Sequence, residues 1–330
     1  MNIDLQAKDI KPLRQTFDRV KAYTGDKPAS RYQEAILATQ PKENFHYRPT
    51  WEPERELFDV RRTAIVMADW NTLRDPRQYY YATWTITRAK QQETMDANYQ
   101  FVESRKLMER IDERLRNDVA AVLMPLRHLA WGGNMNNCSM ASRGYGTAFT
   151  APALMHAMDH LGAAQYLTRL GLLMGDAACL DAGKADWLER AAWQPLRKWQ
   201  EDSFIEQDPM ALFVLQNLVI DGLLYPLMYD QYVEEFVTAL GGSAVSLLTV
   251  FMPDWHQESA RWVDGVLKVV GAESPANQAQ LQEWVLRYVS PTLEALAPVA
   301  KLAMGQQGSV ALAAAQASLQ VRLGKLGLSA

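Results

Sequence analysis

The sequence predicts an all-α fold, and three observations lead to this prediction. Apolar side chains recur at helical intervals in several long segments, and no convincing run alternates with the period of two expected of a β-strand. Proline or glycine separates the helical segments from one another. At 330 residues and 48% hydrophobic content, the chain can bury a substantial core. We therefore expect a bundle of at least eight helices.

Residues 1–60 differ from the rest of the chain in composition and in hydrophobic periodicity. Five prolines punctuate a polar stretch without a sustained period, and isolated aromatic residues interrupt it. Because disordered tails are usually poor in aromatics, we favour an extended arm that wraps a partner, with flexible disorder as the alternative. The predicted division is an arm over 1–60 and a single helical domain over 61–330. By residue type alone, Trp51, Phe58 and Trp70 are candidate anchors.

The helical body is expected to begin near Glu54, and Asp75-Pro76 predicts the start of a long helix over 77–115, as an N-cap followed by proline at N1. The charged end of that helix mixes signs around a narrow apolar stripe, which is typical of a solvated face. Segment 131–146 is rich in glycine and asparagine and predicts a bend or loose turn between helices.

The central helix is predicted over Phe149–Gly175, with Thr150 as N-cap, Pro152 in the first turn and a glycine at its end. Almost no charged residue falls between positions 151 and 168, so most of this helix should be covered by protein.

Further helices are predicted over Asp186–Ser203, over Met210–Tyr229 after the Asp208-Pro209 start signal, and over 243–270 as a pair or one kinked helix. Shorter terminal helices follow, with prolines at their starts or kinks. The Met210–Tyr229 helix contains Gln216, Asn217 and Asp221, which favours a buried bundle helix over a membrane span.

Composition limits the possible partners. A net charge of −4 and a pI near 5.8 do not provide the excess positive charge that favours binding of nucleic acid or anionic lipid. Cys138 and Cys179 form no disulfide framework, and the N-terminus has no apolar signal segment. We expect a soluble cytoplasmic protein without a membrane or nucleic-acid partner.

The central helix also predicts the type of bundle. In a di-iron ferritin-like bundle, this helix would carry Glu-x-x-His on its inward face. Here His160 stands at the glutamate position and Ala163 at the histidine position. The only literal Glu-x-x-His, Glu43 to His46, lies between prolines without a helical run, so we do not expect it to bind metal. The pattern favours a ferritin-like scaffold that has lost its ligands.

Four motifs, taken in order and spacing, make the chain resemble a known family. They are the Asp69-Trp70 and Asp75-Pro76 turn, the helix containing Arg88-Ala89-Lys90-Gln91-Gln92-Glu93, the Met158-Asp159 helix, and Met252-Pro253-Asp254-Trp255-His256. Over essentially its whole length the chain resembles the β subunit of the hydroxylase component of bacterial multicomponent monooxygenases. The similarity is to the phenol hydroxylase branch, which is related to the toluene and methane monooxygenases. This resemblance implies a ferritin-like, ribonucleotide-reductase-like helical bundle with extra helices.

The resemblance also implies where iron ligands would fall. In the related α subunit, two pairs of ligands are written Asp-Glu-x-x-His. In the first pair of positions this chain keeps Asp159 but has His160 and Ala163; in the second it keeps Asp254 but has Trp255 and Glu258. The two remaining ligands would fall near Ala130 and Asp221. We therefore expect no catalytic, cofactor or metal residue, and treat His160, Ala163, Asp221, Trp255 and Glu258 as vestigial ligand positions.

The resemblance further implies a complex of α2β2γ2 composition. Its α subunit would hold the di-iron centre and hydroxylate phenols with O2, using electrons from NADH delivered by a separate reductase. A small regulatory protein would dock on the hydroxylase. This chain, with no cofactor of its own, would support and dimerise the catalytic α subunit together with the small γ subunit.

Two alternatives remain at the sequence level. A metal-binding ferritin-like oxidoreductase could use a mononuclear site of His156, His160 and Asp221. Helical spacing turns Asp159 off the face of the two histidines, and His256 and Glu258 are two residues apart on different sides of their helix. For this reason we favour polar groups satisfied inside the bundle. A storage-type ferritin is disfavoured by the same ligand losses.

Overall fold

The structure, a computed structural model, describes residues 16–39 and 48–330, and this part of the chain contains helices but no β-strand. The predicted all-α class is therefore correct for the described residues. The helices are α1 (Asp18–Thr24), α2 (Arg31–Ile36), α3 (Tyr81–Ser104), α4 (Glu113–Leu123), α5 (Leu126–Arg143), α6 (Thr147–Glu189), α7 (Gln194–Ser203), α8 (Pro209–Val237), α9 (Ser243–Thr249), α10 (Phe251–Glu273), α11 (Pro275–Met304) and α12 (Gly308–Lys325).

Four helices form the centre of the molecule. Helix α5 packs along α6 and against α8, and α10 closes the ring by contacting both α6 and α8. Large aromatic side chains fill the space between them: Phe213 meets Phe149 edge-on at 5.2 Å and Trp262 at 5.0 Å, centroid to centroid. The remaining helices pack around this four-helix core, as expected of a bundle.

Helix α8 starts where its sequence signal predicts. The Oδ1 atom of Asp208 accepts hydrogen bonds from the backbone N–H groups of Met210 and Ala211 at 2.8 and 3.1 Å, and Pro209 occupies the first turn. The helix includes wide π-type turns over Val214–Ile220 and Pro226–Val237. Its length and hydropathy match a membrane span, but 94% of its most apolar window is buried inside the protein, as in a core helix.

Helix α6 is longer than predicted. It begins at Thr147 after Gly146, whose φ of 86° lies in the left-handed region, so Thr150 is inside the helix and is not its N-cap. The predicted end near Gly175 is a kink, where Gly175 and Asp176 leave helical geometry before the helix resumes and runs to Glu189. The predicted helix over 186–203 is consequently divided between α6 and α7.

The glycine- and asparagine-rich segment 131–146 was predicted as a turn, and that prediction is wrong. Helix α5 runs through it to Arg143. The glycines serve close packing: a Cβ on Gly132 would meet Gln200 at 2.6 Å, and a Cβ on Gly133 would meet the His160 ring at 2.7 Å. Only the end of the segment, around Gly144, forms a turn.

The start of the helical body was also predicted too early. From Glu54 to Tyr80 the described chain has only two 3₁₀ turns, Val60–Arg62 and Trp70–Thr72. Helix α3 begins at Tyr81, because the Asp75-Pro76 signal forms a turn in which Asp75 accepts from Arg77, and α3 ends at Ser104 instead of reaching residue 115.

The described part of the predicted arm is not simply extended, since it contains α1 and α2. Trp70 is buried, with 6% of its surface exposed, and packs edge-on against Tyr145, so it is a core residue and not a surface anchor. Trp51 is 79% exposed and remains a candidate. The division at residue 60 stays a prediction.

Candidate functional site

The six positions implied as iron ligands lie on the four central helices. Ala130 is on α5, His160 and Ala163 are on α6, Asp221 is on α8, and Trp255 and Glu258 are on α10. Two alanines and a tryptophan offer no metal donor. The Trp255 indole N–H donates to Gln91 Oε1 at 2.5 Å and so serves packing between α10 and α3.

One end of the site is a buried cluster of His156, His160 and Asp221. The Nε2 atoms of His156 and His160 lie 3.3 and 3.2 Å from the same oxygen, Oδ2 of Asp221, and the two rings are 4.5 Å apart. His156 is hydrogen-bonded to this oxygen, whereas His160 Nε2 approaches it without hydrogen-bond geometry. Potential ligand atoms of the three residues all lie within 4.8 Å of one another. Within the described residues, the three side chains of the alternative metal site are therefore close enough to bind one ion.

The other end of the site is organised by Arg88 of α3. Its guanidinium donates to the two Asp159 oxygens from Nε and Nη2, both at 2.7 Å. It also donates to Glu258 from Nη2 at 2.7 Å and from Nη1 at 3.2 Å. Trp84 adds a bond from its indole N–H to Asp159 at 3.0 Å. Only 12% of the Arg88 side chain is exposed, so this is a largely desolvated ion pair that joins α3, α6 and α10.

A second arginine extends this charge network. Arg77 donates from Nε to Asp75 at 2.9 Å, and its Nη1 lies 3.8 Å from Glu258. Its guanidinium also lies over the rings of Tyr79 and Trp262, at 4.8 and 5.2 Å. Arg77 and Arg88 thus surround Glu258 with positive charge, and its carboxylate is already paired.

Polar side chains continue from Asp221 towards α5 and α7. Gln216 donates to Asp221 Oδ1 at 2.9 Å and accepts from Asn136 at 2.8 Å and from Gln200 at 3.2 Å. Asn136 also donates to the Ser203 hydroxyl oxygen at 2.7 Å. These buried amides and the hydroxyl bond to one another, and only the Gln200 side-chain oxygen is left without a hydrogen bond in this group. Such pairing is the condition under which polar groups are tolerated in a core.

The protonation of the cluster follows from these contacts. Burial acts to raise the pKa of Asp159, but the neighbouring His156 ring, 4.0 Å away, and the hydrogen bonds from Arg88 outweigh it and lower the pKa to about 2. Burial likewise opposes ionisation of Asp221, yet His160 and His156 hold its pKa below the usual range. Burial would lower the pKa of His156, and the two carboxylates raise it instead. The site is therefore a set of paired charges.

Two expectations from helical spacing are confirmed by the contacts. Asp159 is bound on the α3 side, where Arg88 donates to both of its oxygens, and its nearest contact with the histidine cluster is the 4.0 Å separation from His156 Nδ1. His256 and Glu258 separate: the His256 ring stacks on Tyr225 at 5.2 Å, and Glu258 faces the arginines. The Glu43–His46 motif lies outside the described residues.

Sequence reasoning missed Arg88 as the central partner. The available signal was Asp159 itself, an acidic residue in a helix predicted to be covered by protein, because a buried carboxylate requires a cation or several hydrogen bonds. The sequence did not reveal which of the many basic residues would supply that cation.

The donor set does not fit a di-iron centre. Ferritin-like di-iron sites take one glutamate from each of two helices and Glu-x-x-His from each of the other two. Among the six corresponding positions, Asp221 is the only carboxylate not bound by an arginine, and His160 is the only imidazole. A bridging carboxylate pair is thus missing.

Comparison with known proteins gives consistent results. Residues 51–274 match the family model described as Methane/Phenol/Alkene Hydroxylase. The chain is 44% identical over 330 residues to the oxygenase component DmpL of phenol 2-monooxygenase from Pseudomonas sp. strain CF600, covering 99% of this chain and 98% of the relative. It is 38% identical over 332 residues to the corresponding component MhpL from Acinetobacter pittii strain PHEA-2, with the same coverage.

Solved structures show the same relationship. A chain of xenon-pressurised phenol hydroxylase from Pseudomonas sp. OX1 is 40% identical and superposes with a TM-score of 0.91, with 97% of each chain covered. A chain of toluene 4-monooxygenase with bound toluene has a TM-score of 0.76 at 16% identity, covering 89% of this chain and 98% of that one. These similarities confirm the predicted ferritin-like helical bundle.

Proposed function

The chain belongs to the methane, phenol and alkene hydroxylase family, and we propose that within it the chain is the non-catalytic β subunit of a phenol hydroxylase. The predicted family resemblance is thereby confirmed. Its relatives are oxygenase components of phenol 2-monooxygenases, which supports a role as a hydroxylase subunit of such a monooxygenase. Our proposal goes beyond the relatives in assigning this chain a non-catalytic role.

The observation that carries this proposal is the position of Arg88. Its guanidinium joins Asp159 and Glu258, residues from the two helices that correspond to the Glu-x-x-His helices of a di-iron bundle. A positively charged side chain there holds the helices together electrostatically, where a di-iron bundle would use metal ions. Because Glu258 is bound by arginine and three other ligand positions are Ala130, Ala163 and Trp255, we assign no oxygen-activating centre to this chain.

The proposed division of labour follows from that assignment. A partner α subunit would supply the di-iron chemistry that activates O2 for phenol hydroxylation, with electrons originating from NADH. This chain would support α and help to dimerise the complex, in an α2β2γ2 assembly that a regulatory protein engages. The exposed Trp51 fits a role for residues 1–60 in contacting a partner.

The second candidate function is a metal-binding oxidoreductase with its own mononuclear site. The cluster of His156, His160 and Asp221 favours it, since two imidazoles and one carboxylate form the donor set of many non-haem iron sites. Against it, a ligating histidine must lose its proton at the metal-facing nitrogen, while the neighbouring carboxylates raise the pKa of His156. Asp221 is also already engaged by His156 and Gln216.

The deciding experiment measures iron and zinc per polypeptide in this chain purified under native conditions, with a His160→Ala variant beside it. The proposal predicts substoichiometric metal in both proteins. One ion per wild-type chain that is lost in the variant would establish the mononuclear site instead. In parallel, phenol hydroxylation by the α and γ subunits is measured with and without this chain. We expect turnover to need this chain and to be insensitive to His160→Ala at equal complex concentration.

A further inference from the structure

Residues 63–69 form an extended segment between the two 3₁₀ turns. The residues at its two ends have extended backbones, with φ and ψ of −127° and 149° at the first and of −143° and 111° at the last. Burial alternates between these ends: Ile65 and Met67 are 1% and 8% exposed, whereas Val66 is 73% exposed. The segment therefore has the period of two of a β-strand, while the described residues contain no second strand beside it.

One edge of the 63–69 segment is fixed to the helical bundle by side chains. The backbone N–H of Val66 donates to Asn277 Oδ1 at 3.1 Å, and its C=O accepts from Asn277 Nδ2 at 2.9 Å. The N–H groups two positions before and two positions after Val66 donate to Asp208 and Glu273, at 2.7 and 2.8 Å. These three side chains therefore take the place of a neighbouring strand along that edge.

The opposite edge of the segment is unpaired. In an extended chain, the N–H and C=O of one residue point to one edge and those of the next residue to the other, so Ile65 and Met67 direct their backbone groups away from Asn277. The Ile65 N–H reaches only the Thr63 hydroxyl oxygen, at 3.2 Å. The C=O of Ile65 and both backbone groups of Met67 make no hydrogen bond with any described residue. A strand edge with free donors and acceptors is a template for a further strand.

A cleft of about 910 Å³ adjoins this segment, and residues 65–69 all line it together with Tyr23 of α1 and the rings of Trp70 and Tyr145. None of the three side chains that bind the other edge lines the cleft, which places it on the unpaired side. A strand in a sheet occupies about 160 Å³ per residue, given a strand spacing of about 4.8 Å, a layer spacing of about 10 Å and a rise of about 3.3 Å. The cleft therefore has room for about five or six residues of one extended strand.

The unpaired edge and the cleft determine the chemistry of an occupant. A helix bonds its own backbone groups and has few to offer, so the free groups of Ile65 and Met67 call for an extended peptide. Alternate side chains of that peptide would lie against Trp70 and Tyr145, where aromatic or β-branched residues pack well. Proline cannot donate a hydrogen bond and is excluded at the bonding positions.

A second copy of this chain does not offer such a peptide from its described residues. Its own unpaired edge is recessed in the same cleft. Carbonyl groups within residues 54–57 already accept from the two arginines of the first 3₁₀ turn. Residues 326–329 are hydrogen-bonded to Gln278 and Gln282. Because ordering a short peptide opposes its binding, the occupant has to come from a chain that is already held close by.

We propose that the unpaired edge of the 63–69 segment receives an extended segment of the catalytic α subunit, which adds to it as a β-strand. The assignment rests on the proposed function, in which α is the chain that this one supports and contacts permanently. Main-chain hydrogen bonds to Ile65 and Met67 carry the contact, so it differs in kind from the packing of helical surfaces. The cleft beside Trp70 and Tyr145 sets which side chains the bound segment has at alternate positions.

The first test compares two adjacent amides in this chain alone and in its complex with α and γ. Hydrogen exchange is measured by mass spectrometry with fragmentation to single residues. The Ala68 N–H is bonded to Glu273 and is the internal control. The Met67 N–H has no partner among the described residues. We expect its exchange to slow by about a hundredfold or more in the complex, while the exchange of Ala68 changes little.

A photo-cross-linker then identifies the bound segment. p-Benzoylphenylalanine is placed at Val66, whose side chain is 73% exposed and lines the cleft, and in a control at Val321 of α12, which is 63% exposed. Both sites are on the surface, and thermal unfolding establishes that each variant is folded. Mass spectrometry of the cross-linked peptides should identify one stretch of α attached at position 66, and the same stretch should be absent at position 321.

Four results would overturn the assignment, each in a different way. Equal exchange of the Met67 amide in the chain alone and in an intact complex would exclude strand addition and leave the proposed function standing. Slow exchange already in the chain alone, with cross-links from position 66 into the same chain, would show that this chain fills its own cleft. Cross-links to γ or to a second copy would assign the edge to that chain. Failure of the wild-type chain to bind α at all would refute the proposed function and this assignment with it.

Discussion

Replacing Arg88 by methionine tests the electrostatic account of the bundle centre most directly. Methionine retains much of the volume of the arginine stem but leaves Asp159 and Glu258 without their shared cation. Glu258 still has Arg77 at 3.8 Å, so the main loss falls on Asp159, which is 5% exposed. We expect the chain to fold but with a markedly lower free energy of unfolding.

The magnitude follows from the burial of Asp159. Removing one partner of a buried ion pair typically costs about 3–5 kcal/mol, because the remaining charge is neither solvated nor paired. The cost is limited by protonation: bringing a carboxyl with a normal pKa to its neutral form at pH 7 requires about 4 kcal/mol. With a urea dependence of about 3 kcal/mol per molar, the midpoint should fall by about 1–1.5 M.

The assay is urea unfolding at pH 7, followed by circular dichroism and by tryptophan fluorescence. Arg169→Met is the matched control: Arg169 pairs with Asp96 at 2.6 Å, but the two side chains are 38% and 48% exposed, so the loss should stay below about 1 kcal/mol. The triple variant Arg88→Met/Asp159→Asn/Glu258→Gln removes the orphaned charges and should recover most of the stability. Equal midpoint shifts for Arg88→Met and Arg169→Met, or no recovery in the triple variant, would refute the reasoning.

The remaining predictions concern stability at other sites. Burial lowers the pKa of His256 to about 3, below the value near 6.5 in the unfolded chain. The neutral His256 ring therefore contributes fully to the free energy of unfolding above pH 6.5, and this contribution is lost as the pH falls towards 3. Between pH 6.5 and 4.5, wild type should lose about 2 kcal/mol relative to His256→Phe in urea titrations; parallel pH profiles would contradict this. Gly133→Ala places a Cβ 2.7 Å from the His160 ring and should cost about 1–3 kcal/mol, whereas Gly324→Ala, with no atom within 4 Å, should be neutral or stabilising by up to about 1 kcal/mol in thermal unfolding. Asp208→Ala removes the cap of α8 and should lower the urea midpoint by the equivalent of about 1–2 kcal/mol; an unchanged midpoint would show that the cap is dispensable.

The sequence predicted those parts of the fold that depend on local chemistry. The Asp208-Pro209 start of α8 depends on atoms within four residues, and the structure has the helix beginning there. Segment 131–146 was misread for the opposite reason: Gly133 is small because His160 comes close to it from another helix, and no local rule contains that contact. The Asp75-Pro76 signal was read only partly correctly. The local turn forms, but the helix starts six residues after Asp75.

The candidate site was predictable to a similar extent. Helical spacing places His156 and His160 on one face and Asp159 off it, and in the structure Arg88 binds Asp159 on the α3 side. The pairing of Asp159 with Arg88 joins residues 71 positions apart, and only the packing of α3 against the bundle determines it. Long-range electrostatic partners of this kind require three-dimensional information.

Arg88 has a consequence for how such a subunit matures. The cation at the centre of these helices is part of the polypeptide, so it is delivered by translation and cannot dissociate. Iron scarcity and chelators affect bound metal but do not remove a guanidinium. A guanidinium also does not undergo oxidation or reduction as an iron ion does. The Arg88 pairing with Asp159 and Glu258 therefore forms as soon as the three helices meet, without a metal-loading step.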